Sequence, residues 1–313
     1  MFKDLVQGMT EYPFAVYSAF SDAAFGGCAA GILDQASELT GSEMLQISRE
    51  IGAPATCFIS DISPAEVSVR FFSPLSEYPM CGHATIALMT WLNERDFFVF
   101  DDKGVAHTGL STPDTLTNVE VQQRKDGRIE VLLTLPPAEF VSAPVSSIEL
   151  SQVLGIDSER LESNLEMTMT TTDFRSLLVP IDKVSDLEAV RPDFQGIQDL
   201  CRRTVMDTIF LFAPKDDDLA NGVRCREFCP AVGTPESAAS GTTNRSVSCY
   251  LYEQNRITKA RDGVASLSIS QGKEIGRPSN IKSVISLQDG QVNSVGIGGV
   301  ATRVVDGAFF SPF

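Results

Sequence analysis

The chain has 313 residues, 43% hydrophobic and 21% charged, which is typical of globular proteins and excludes a disordered chain. Its 41 acidic against 25 basic residues give a net charge of −16, which argues against nucleic acid as a partner because phosphate binding needs clustered Lys and Arg. No stretch approaches ~18 consecutive apolar residues and the N-terminus lacks the apolar core of a secretion signal, so we expect a cytoplasmic protein without a membrane partner.

Turn signals separate short β-branched or aromatic runs, which predict strands. The clearest runs cover residues 15–17, 56–59, 66–72, 119–121 and 129–133. Helical spacing of apolar residues predicts helices over residues 42–51, with Gly52 as the stop, and over residues 83–93. A third helix is expected to start near Thr243. Strand-rich halves with one long helix each indicate an α+β architecture.

Cysteine and histidine usage argues against a metal or disulfide framework. The seven cysteines are odd in number and scattered, so we expect thiols. Only two histidines, His83 and His107, are available to complete a site. No phosphate loop or Rossmann glycine pattern is present, and the sequence therefore predicts neither a metal nor a cofactor.

An internal repeat is the most informative feature of the sequence. Residues 70–83 read RFFSPLSEYPMCGH and residues 226–242 read REFCPAVGTPESAASGT. Both contain Arg-x-Phe-x-Pro and then Glu-x-x-x-(Cys/Ser)-Gly, although the spacers differ in length, and both lead into a helix. The order predicts duplicated halves related by a pseudo-two-fold axis. We place the first half at residues 1–135 with a returning segment, 296–313, and the second at residues 136–295.

The (Cys/Ser)-Gly pair in each copy of the repeat predicts an anion-binding site. Each opens a helix, whose first backbone N–H groups have no partner within the helix. If the halves face each other, two such helix ends converge on one cleft and suit a small carboxylate. Gly82 and Gly241 would let the ligand approach because they lack a Cβ.

Candidate catalytic residues follow from these positions. Cys81 stands at the first helix end, where the dipole is expected to lower the pKa of the thiol from ~8.5 towards neutrality and make it a base. His83 is a second candidate acid or base. Ser240 and Thr242 would donate hydrogen bonds at the second helix end, and fixed donors would stabilise the enolate formed by proton removal.

The repeat also contains a glutamate in each copy. Glu77 and Glu236 either contact a ligand or hold the turns through backbone N–H groups.

These motifs resemble those of the PhzF-like proteins, which share the diaminopimelate epimerase fold. The most specific matches are residues 70–85 and 226–242, and weaker matches lie at 25–31, 44–58, 272–279 and 295–307. The resemblance implies two pseudo-symmetric domains, each a strand-rich half-barrel around a central helix, with the active site between them. It also implies a homodimer and the substrate-binding residues Ser237, Glu236 and Cys28.

Three departures from the family pattern bear on the mechanism. Ala55 replaces the Glu of a Ser-Glu-Thr sequence, Ser237 replaces an Asp, and Cys28-Ala29 replaces Asn-Pro. Cys81 and Ser240 fall where epimerases of this fold carry one Cys from each half. A serine hydroxyl is by itself too weak a base to replace a thiolate, which disfavours a symmetric two-base racemase.

Three functional hypotheses remain open from the sequence. The first is a cofactor-independent isomerase of a small carboxylate-bearing metabolite, with Cys81 or His83 as base. The second is a dehydratase or cyclase that uses the same site. The third is a binding protein that kept the fold and lost catalysis with the missing Glu at Ala55. The sequence does not name the substrate.

Overall fold

The computed structural model describes residues 8–161, 163–172, 174–257 and 263–313. Its residues divide into two compact units, the first formed by the described residues up to Leu133 together with Gly298–Phe313, and the second by Thr134–Ile297. In the described residues of both units, strands outnumber helices and often follow one another without an intervening helix, which gives the α+β class expected from the sequence.

The described residues of the first unit form an eleven-residue helix, a twelve-residue helix and a larger number of strands. Its elements are β1 (Thr10–Ala19), β2 (Cys28–Leu33), α1 (Gly41–Ile51), β3 (Ala55–Ile62), β4 (Glu66–Phe72), β5 (Glu77–Tyr78), α2 (Gly82–Asn93), β6 (Val105–Ser111), β7 (Leu116–Gln123), β8 (Ile129–Leu135) and the C-terminal β18 (Ala301–Ser311). Strand β1 pairs antiparallel with both β2 and β18. The C-terminal strand therefore belongs to the same unit as the N-terminal strand.

The second unit contains more helix. Its elements are β9 (Phe140–Ser142), α3 (Ser147–Leu154), β10 (Thr168–Thr170), β11 (Ser176–Pro180), α4 (Val184–Ala189), α5 (Phe194–Thr204), β12 (Thr208–Pro214), β13 (Val223–Cys229), β14 (Thr234–Ser237), α6 (Gly241–Glu253), β15 (Val264–Gln271), β16 (Ser279–Gln288) and β17 (Gln291–Gly299). Strand β9 pairs with β10, and β10 with β11.

The two units share one strand topology. In the first, β2 is parallel to β3, β3 is antiparallel to β4, and β4 pairs antiparallel with β5 and parallel with β6. In the second, β11, β12, β13, β14 and β15 repeat these relations in the same order. The last shared step is an antiparallel pair, β6 with β7 and β15 with β16. The repeat read from the sequence is therefore a repeat of structure.

A buried helix lies at the centre of each unit. In α2 the nine consecutive residues 84–92 are buried, and in α6 the ten consecutive residues 243–252 are buried. Because each of these helices is buried on every side, its contacts cover its whole circumference and are not confined to one apolar face. Each central helix begins at the Gly of the repeated motif, directly after the N-cap residue Cys81 in α2 and Ser240 in α6.

The sequence predicted the helices of the first unit better than those of the second. Helix α1 begins one residue before the predicted start and ends at Gly52, whose φ of 67° is the left-handed C-cap conformation. Helix α2 also begins one residue early, and α6 begins two residues before Thr243. Besides the central helix expected in each half, each unit contains an eleven-residue helix: α1, which the sequence predicted, and α5, which it did not.

Candidate functional site

The N-terminus of α2 places Cys81 and His83 side by side. Cys81 is the N-cap residue in extended conformation, and its side chain makes no capping hydrogen bond. Its Sγ lies 3.4 Å from Nδ1 of His83, within hydrogen-bonding distance for sulfur. Cys81 is buried at 6% exposure and His83 is half-buried. The two predicted catalytic side chains of the first unit therefore form one thiol–imidazole pair.

Burial determines the protonation state of this pair. It raises the pKa of the Cys81 thiol to about 12, and the backbone N–H groups of Ala84 and His83 lower it only in part. The expectation that the helix end brings this pKa near neutrality is wrong, because desolvation outweighs the helix N-terminus. Burial also lowers the pKa of His83 to about 4. At neutral pH both groups are uncharged, with the thiol as donor and the imidazole as acceptor.

The N-terminus of α6 carries hydroxyl groups at the corresponding positions. Ser240 is the N-cap residue, and its Oγ accepts a hydrogen bond from the Thr243 backbone N–H at 3.4 Å. The Ser240 hydroxyl also donates to Thr243 Oγ1 at 3.1 Å and lies 3.4 Å from Thr242 Oγ1. The predicted residues Ser240 and Thr242 are therefore neighbours within the second unit.

The fold leaves room for a side chain at both glycines of the motif. A Cβ added to Gly82 would meet Leu133 Cδ1 at 3.5 Å, and one added to Gly241 would meet Ile297 Cγ2 at 3.7 Å, both ordinary contacts. Neither residue has a positive φ. Packing and backbone conformation therefore do not require these glycines, in contrast to Gly27, where a Cβ would lie 2.0 Å from the Ala19 carbonyl oxygen.

The Arg and Glu of the repeated motif form the same fork in both units. Arg70 donates from Nε and Nη2 to the two oxygens of Glu77, each at 2.7 Å. Arg226 donates from the same atoms to Glu236, each at 2.9 Å. The fork ties β4 to β5 and β13 to β14, next to the helix that follows. The structural alternative for Glu77 and Glu236 thus involves an arginine side chain rather than backbone N–H groups, and substrate binding by Glu236 stays a prediction.

Glu227 is a buried acid that sequence reasoning did not select. It lies on β13 at 2% exposure, and Oε1 accepts a hydrogen bond from Thr243 Oγ1 at 2.7 Å. Burial raises its pKa, while the neighbouring side chains of Thr243, Gln271, Thr208 and Ser240 lower it in part. A signal existed in the sequence: the first repeat has Phe71 at this position, which marks the position as buried.

Comparison with known proteins assigns the chain to a family. The family model of the phenazine biosynthesis-like proteins, PhzC-PhzF, matches residues 17–307. The chain belongs to the PhzC-PhzF family.

Curated relatives of this family match over nearly their whole length. An uncharacterized isomerase of Deinococcus radiodurans is 28% identical over 96% of this chain and 95% of its own. The trans-2,3-dihydro-3-hydroxyanthranilate isomerase of Pseudomonas aeruginosa is 24% identical over 94% of this chain and 98% of its own.

Solved structures show that the PhzC-PhzF chain has the diaminopimelate epimerase-like fold. The PhzF family protein of Bacillus anthracis superposes with a TM-score of 0.84 at 22% identity, over 96% of this chain and 99% of its own. A hydroxyproline epimerase of Agrobacterium vitis superposes with a TM-score of 0.60 at 13% identity, over 97% of this chain and 93% of its own.

The structure also locates the three departures from the PhzF pattern. Ala55 is fully buried at the start of β3, opposite Ala30 of β2. The Ser237 hydroxyl donates to the Ala239 carbonyl at 3.1 Å and so holds the turn before α6. Cys28 is buried at the start of β2. Substrate binding by Ser237 and Cys28 stays a prediction.

The cysteines of the chain lie in buried positions. All seven are buried, and no disulfide joins any two of them in the described part of the chain. Among the residues that the structure describes, no group of three or more His, Cys, Asp or Glu could hold a metal ion. None of the described helices combines the length and the apolar character needed to cross a bilayer.

Proposed function

We propose that this PhzF-family chain is an isomerase that moves a proton between carbon atoms of a small carboxylate-bearing metabolite without a cofactor. Family membership and the isomerase names of the curated relatives support the reaction class. The observation that carries the substrate class is that α2 and α6 begin with no acidic residue in the first turn. By contrast, α1 and α3 each begin with a capping box whose glutamate satisfies the helix end.

The helix N-termini would supply the electrostatic part of the reaction. Backbone N–H groups at Gly82 and Gly241 would bind the carboxylate, and the absent Cβ atoms would leave it room. Removal of a proton next to the carboxylate places negative charge on its oxygens, which fixed N–H donors stabilise. The hydroxyls of Ser240 and Thr242 would add donors to the same ligand.

His83 is the stronger candidate for the base at the first helix end. Its imidazole is neutral at pH 7, whereas the Cys81 thiol keeps its proton. The negative charge of a bound carboxylate stabilises the imidazolium form of His83. Ligand binding would therefore raise the pKa of His83 and make it a stronger base. Cys81, 3.4 Å away, would donate to this imidazole or return a proton to carbon.

A dehydratase or cyclase is the second candidate. The buried Ala55 removes the acid that the PhzF pattern places on β3, and Ser240 stands where the epimerase arrangement has a second cysteine. Proton removal on one side with loss of a β-leaving group would need only the first base. The two reactions share their first step and differ in whether water leaves.

Incubation in deuterated water separates these candidates. The acids to test are trans-2,3-dihydro-3-hydroxyanthranilate and trans-4-hydroxy-L-proline, followed by NMR and mass spectrometry. We expect deuterium at carbon in a product of unchanged composition. Loss of water from the acid would favour the dehydratase instead.

Two variants test whether the site is catalytic. Cys81→Ala and His83→Gln should each lower the exchange rate by about 10²-fold or more, the usual contribution of a positioned acid or base. Cys201→Ala, in the core of the second unit, is the matched control and should exchange at the native rate. If Cys81→Ala and His83→Gln leave both affinity and turnover unchanged, a binding protein is the better account.

A further inference from the structure

Glu227 is connected to Ser240 by two hydrogen bonds through Thr243. The Ser240 hydroxyl donates to Thr243 Oγ1 at 3.1 Å, and the Thr243 hydroxyl donates to Glu227 Oε1 at 2.7 Å. Both hydroxyls therefore point their protons towards the carboxylate. This direction is the one needed to draw a proton away from Ser240.

The carboxyl group of Glu227 is held where it can store that proton. Its Oε2 is buried and has no hydrogen-bond partner among the residues the structure describes. Its Oε1 accepts from Thr243 at 2.7 Å, and the side chains of Gln271, Thr208 and Ser240 also lie next to the carboxyl group. Unlike the other buried acid of β13 and β14, Glu236, it faces no arginine fork. An ion held without a cationic partner in a buried position readily becomes the neutral acid.

The fold does not require an acid at this position. Strand β4 of the first unit carries Phe71 at the position of Glu227, and α2 carries Ala84 at the position of Thr243. Both units nevertheless have the same strand pairing and the same Arg–Glu fork. An apolar pair satisfies the architecture in one unit, so the Glu227–Thr243 pair in the other has a purpose beyond packing.

We propose that Glu227 is a positioning residue that accepts the Ser240 proton through Thr243 and thereby makes the Ser240 hydroxyl a competent base. As a ligand C–H bond breaks, its proton joins Ser240 Oγ, the Ser240 proton moves to Thr243 Oγ1, and the Thr243 proton moves to Glu227. The negative charge passes from the carboxylate to the ligand, and the reverse sequence returns a proton to carbon. This inference rests on the proposed function, in which Ser240 contacts the ligand as a hydrogen-bond donor, and adds the role of a base. It supplies the help that a lone serine lacks.

A small sulfonyl fluoride tests the relay without any substrate. When methanesulfonyl fluoride reacts at Ser240, an S–O bond forms, the S–F bond breaks and fluoride leaves, while the hydroxyl proton passes through Thr243 to Glu227. The rate of Ser240 modification is measured by mass spectrometry of the peptide. We expect Glu227→Gln and Thr243→Val each to lower this rate by about 10²-fold, and Thr243→Ser to restore it.

The controls make each outcome decisive. Glu253→Gln changes an exposed acid at the other end of α6 and should react at the native rate. Native-rate labelling of Glu227→Gln, or no labelling of Ser240 in the native protein, overturns the relay. If Glu227→Gln fails to fold, the two Thr243 variants decide, and equal rates for them overturn the proposal.

This experiment is independent of the proposed function. If none of the acids exchanges a proton but Ser240 labelling depends on Glu227, the isomerase assignment fails and the relay stands. If exchange occurs but labelling ignores Glu227, the relay fails and the isomerase stands.

Discussion

Cys81 and His83 lie one hydrogen bond apart, and burial shifts both away from their charged forms. Sequence reasoning identified both residues as candidate bases, but it expected a lowered pKa for the Cys81 thiol because it counted the helix dipole and not the loss of water. The sequence contains no direct measure of how deeply an N-cap residue is buried. For this reason the position of the catalytic candidates was predictable and their protonation states were not.

A pH dependence of stability follows from His83. Its pKa is about 4 in the folded chain and near 6.5 when unfolded, so the unfolded chain binds more protons between these values. Stability is therefore complete above pH 6.5 and falls as the pH drops towards about 4, by on the order of 2 kcal/mol. Urea unfolding at about pH 8 and about pH 5 measures the loss, which His83→Gln should abolish.

The control for this prediction is His107→Gln, because His107 is exposed on β6. That variant should keep the native pH dependence. A His83→Gln protein that loses as much stability on acidification as the native protein would contradict the assignment of the titration to His83.

At the scale of elements, the Arg–Glu fork is shared by both repeats but is buried to different depths. The side chains of Arg226 and Glu236 are 5% and 4% exposed, whereas those of Arg70 and Glu77 are 30% and 35% exposed. Arg226→Ala leaves a buried carboxylate without its partner and should lower the free energy of unfolding by about 3–5 kcal/mol. Arg70→Ala should lower it by about 1 kcal/mol or less, because water replaces the lost partner.

Chemical denaturation of the two variants measures this difference. The double variant Arg226→Leu with Glu236→Leu should recover much of the loss, since no unpaired charge is then buried. Equal effects of Arg70→Ala and Arg226→Ala would show that burial does not set the strength of the fork.

The glycines that begin α2 and α6 are expected to affect ligand binding much more than the stability of the fold. Because the protein leaves room for a Cβ at both, Gly82→Ala and Gly241→Ala should change the unfolding free energy by less than about 1 kcal/mol. The same variants should weaken carboxylate binding and slow proton exchange. Gly27→Ala is the contrasting variant, since its Cβ would collide with backbone and should destabilise the fold. Destabilisation by Gly82→Ala equal to that of Gly27→Ala would contradict this separation.

Much of the element pattern could be read from the sequence, and the omissions have physical causes. Alternation is clear in β4 and β8, and the predicted runs of the first unit fall within β1, β3, β4, β7 and β8. Helix α3 was overlooked although Ser146 and Glu149 form a readable capping box and Gly155 a stop. Glu227 could have been found by aligning the two copies, because the acid stands opposite Phe71 in that alignment.

At the scale of the whole molecule, the two units share one strand topology. They differ in the side chains at the N-termini of their central helices. The first unit presents a thiol and an imidazole, and the second presents hydroxyls connected to a buried acid. The duplication itself could be predicted, because the Arg, Phe, Glu and Gly positions that build the fold recur in order. Contact of one ligand with both helix ends is part of the proposed function, and local sequence patterns do not encode the placement of the two units that it requires.

The account depends on one reaction that uses residues of both repeats. The direct measurement is the rate of deuterium exchange at carbon for Cys81→Ala, Ser240→Ala and the double variant, with the acid that the native protein turns over. We predict that each single change lowers the rate about as much as the double change, because groups that act as a unit are not additive. Native-rate exchange by Ser240→Ala, with loss of exchange confined to Cys81→Ala, would contradict the shared role of the two helix ends.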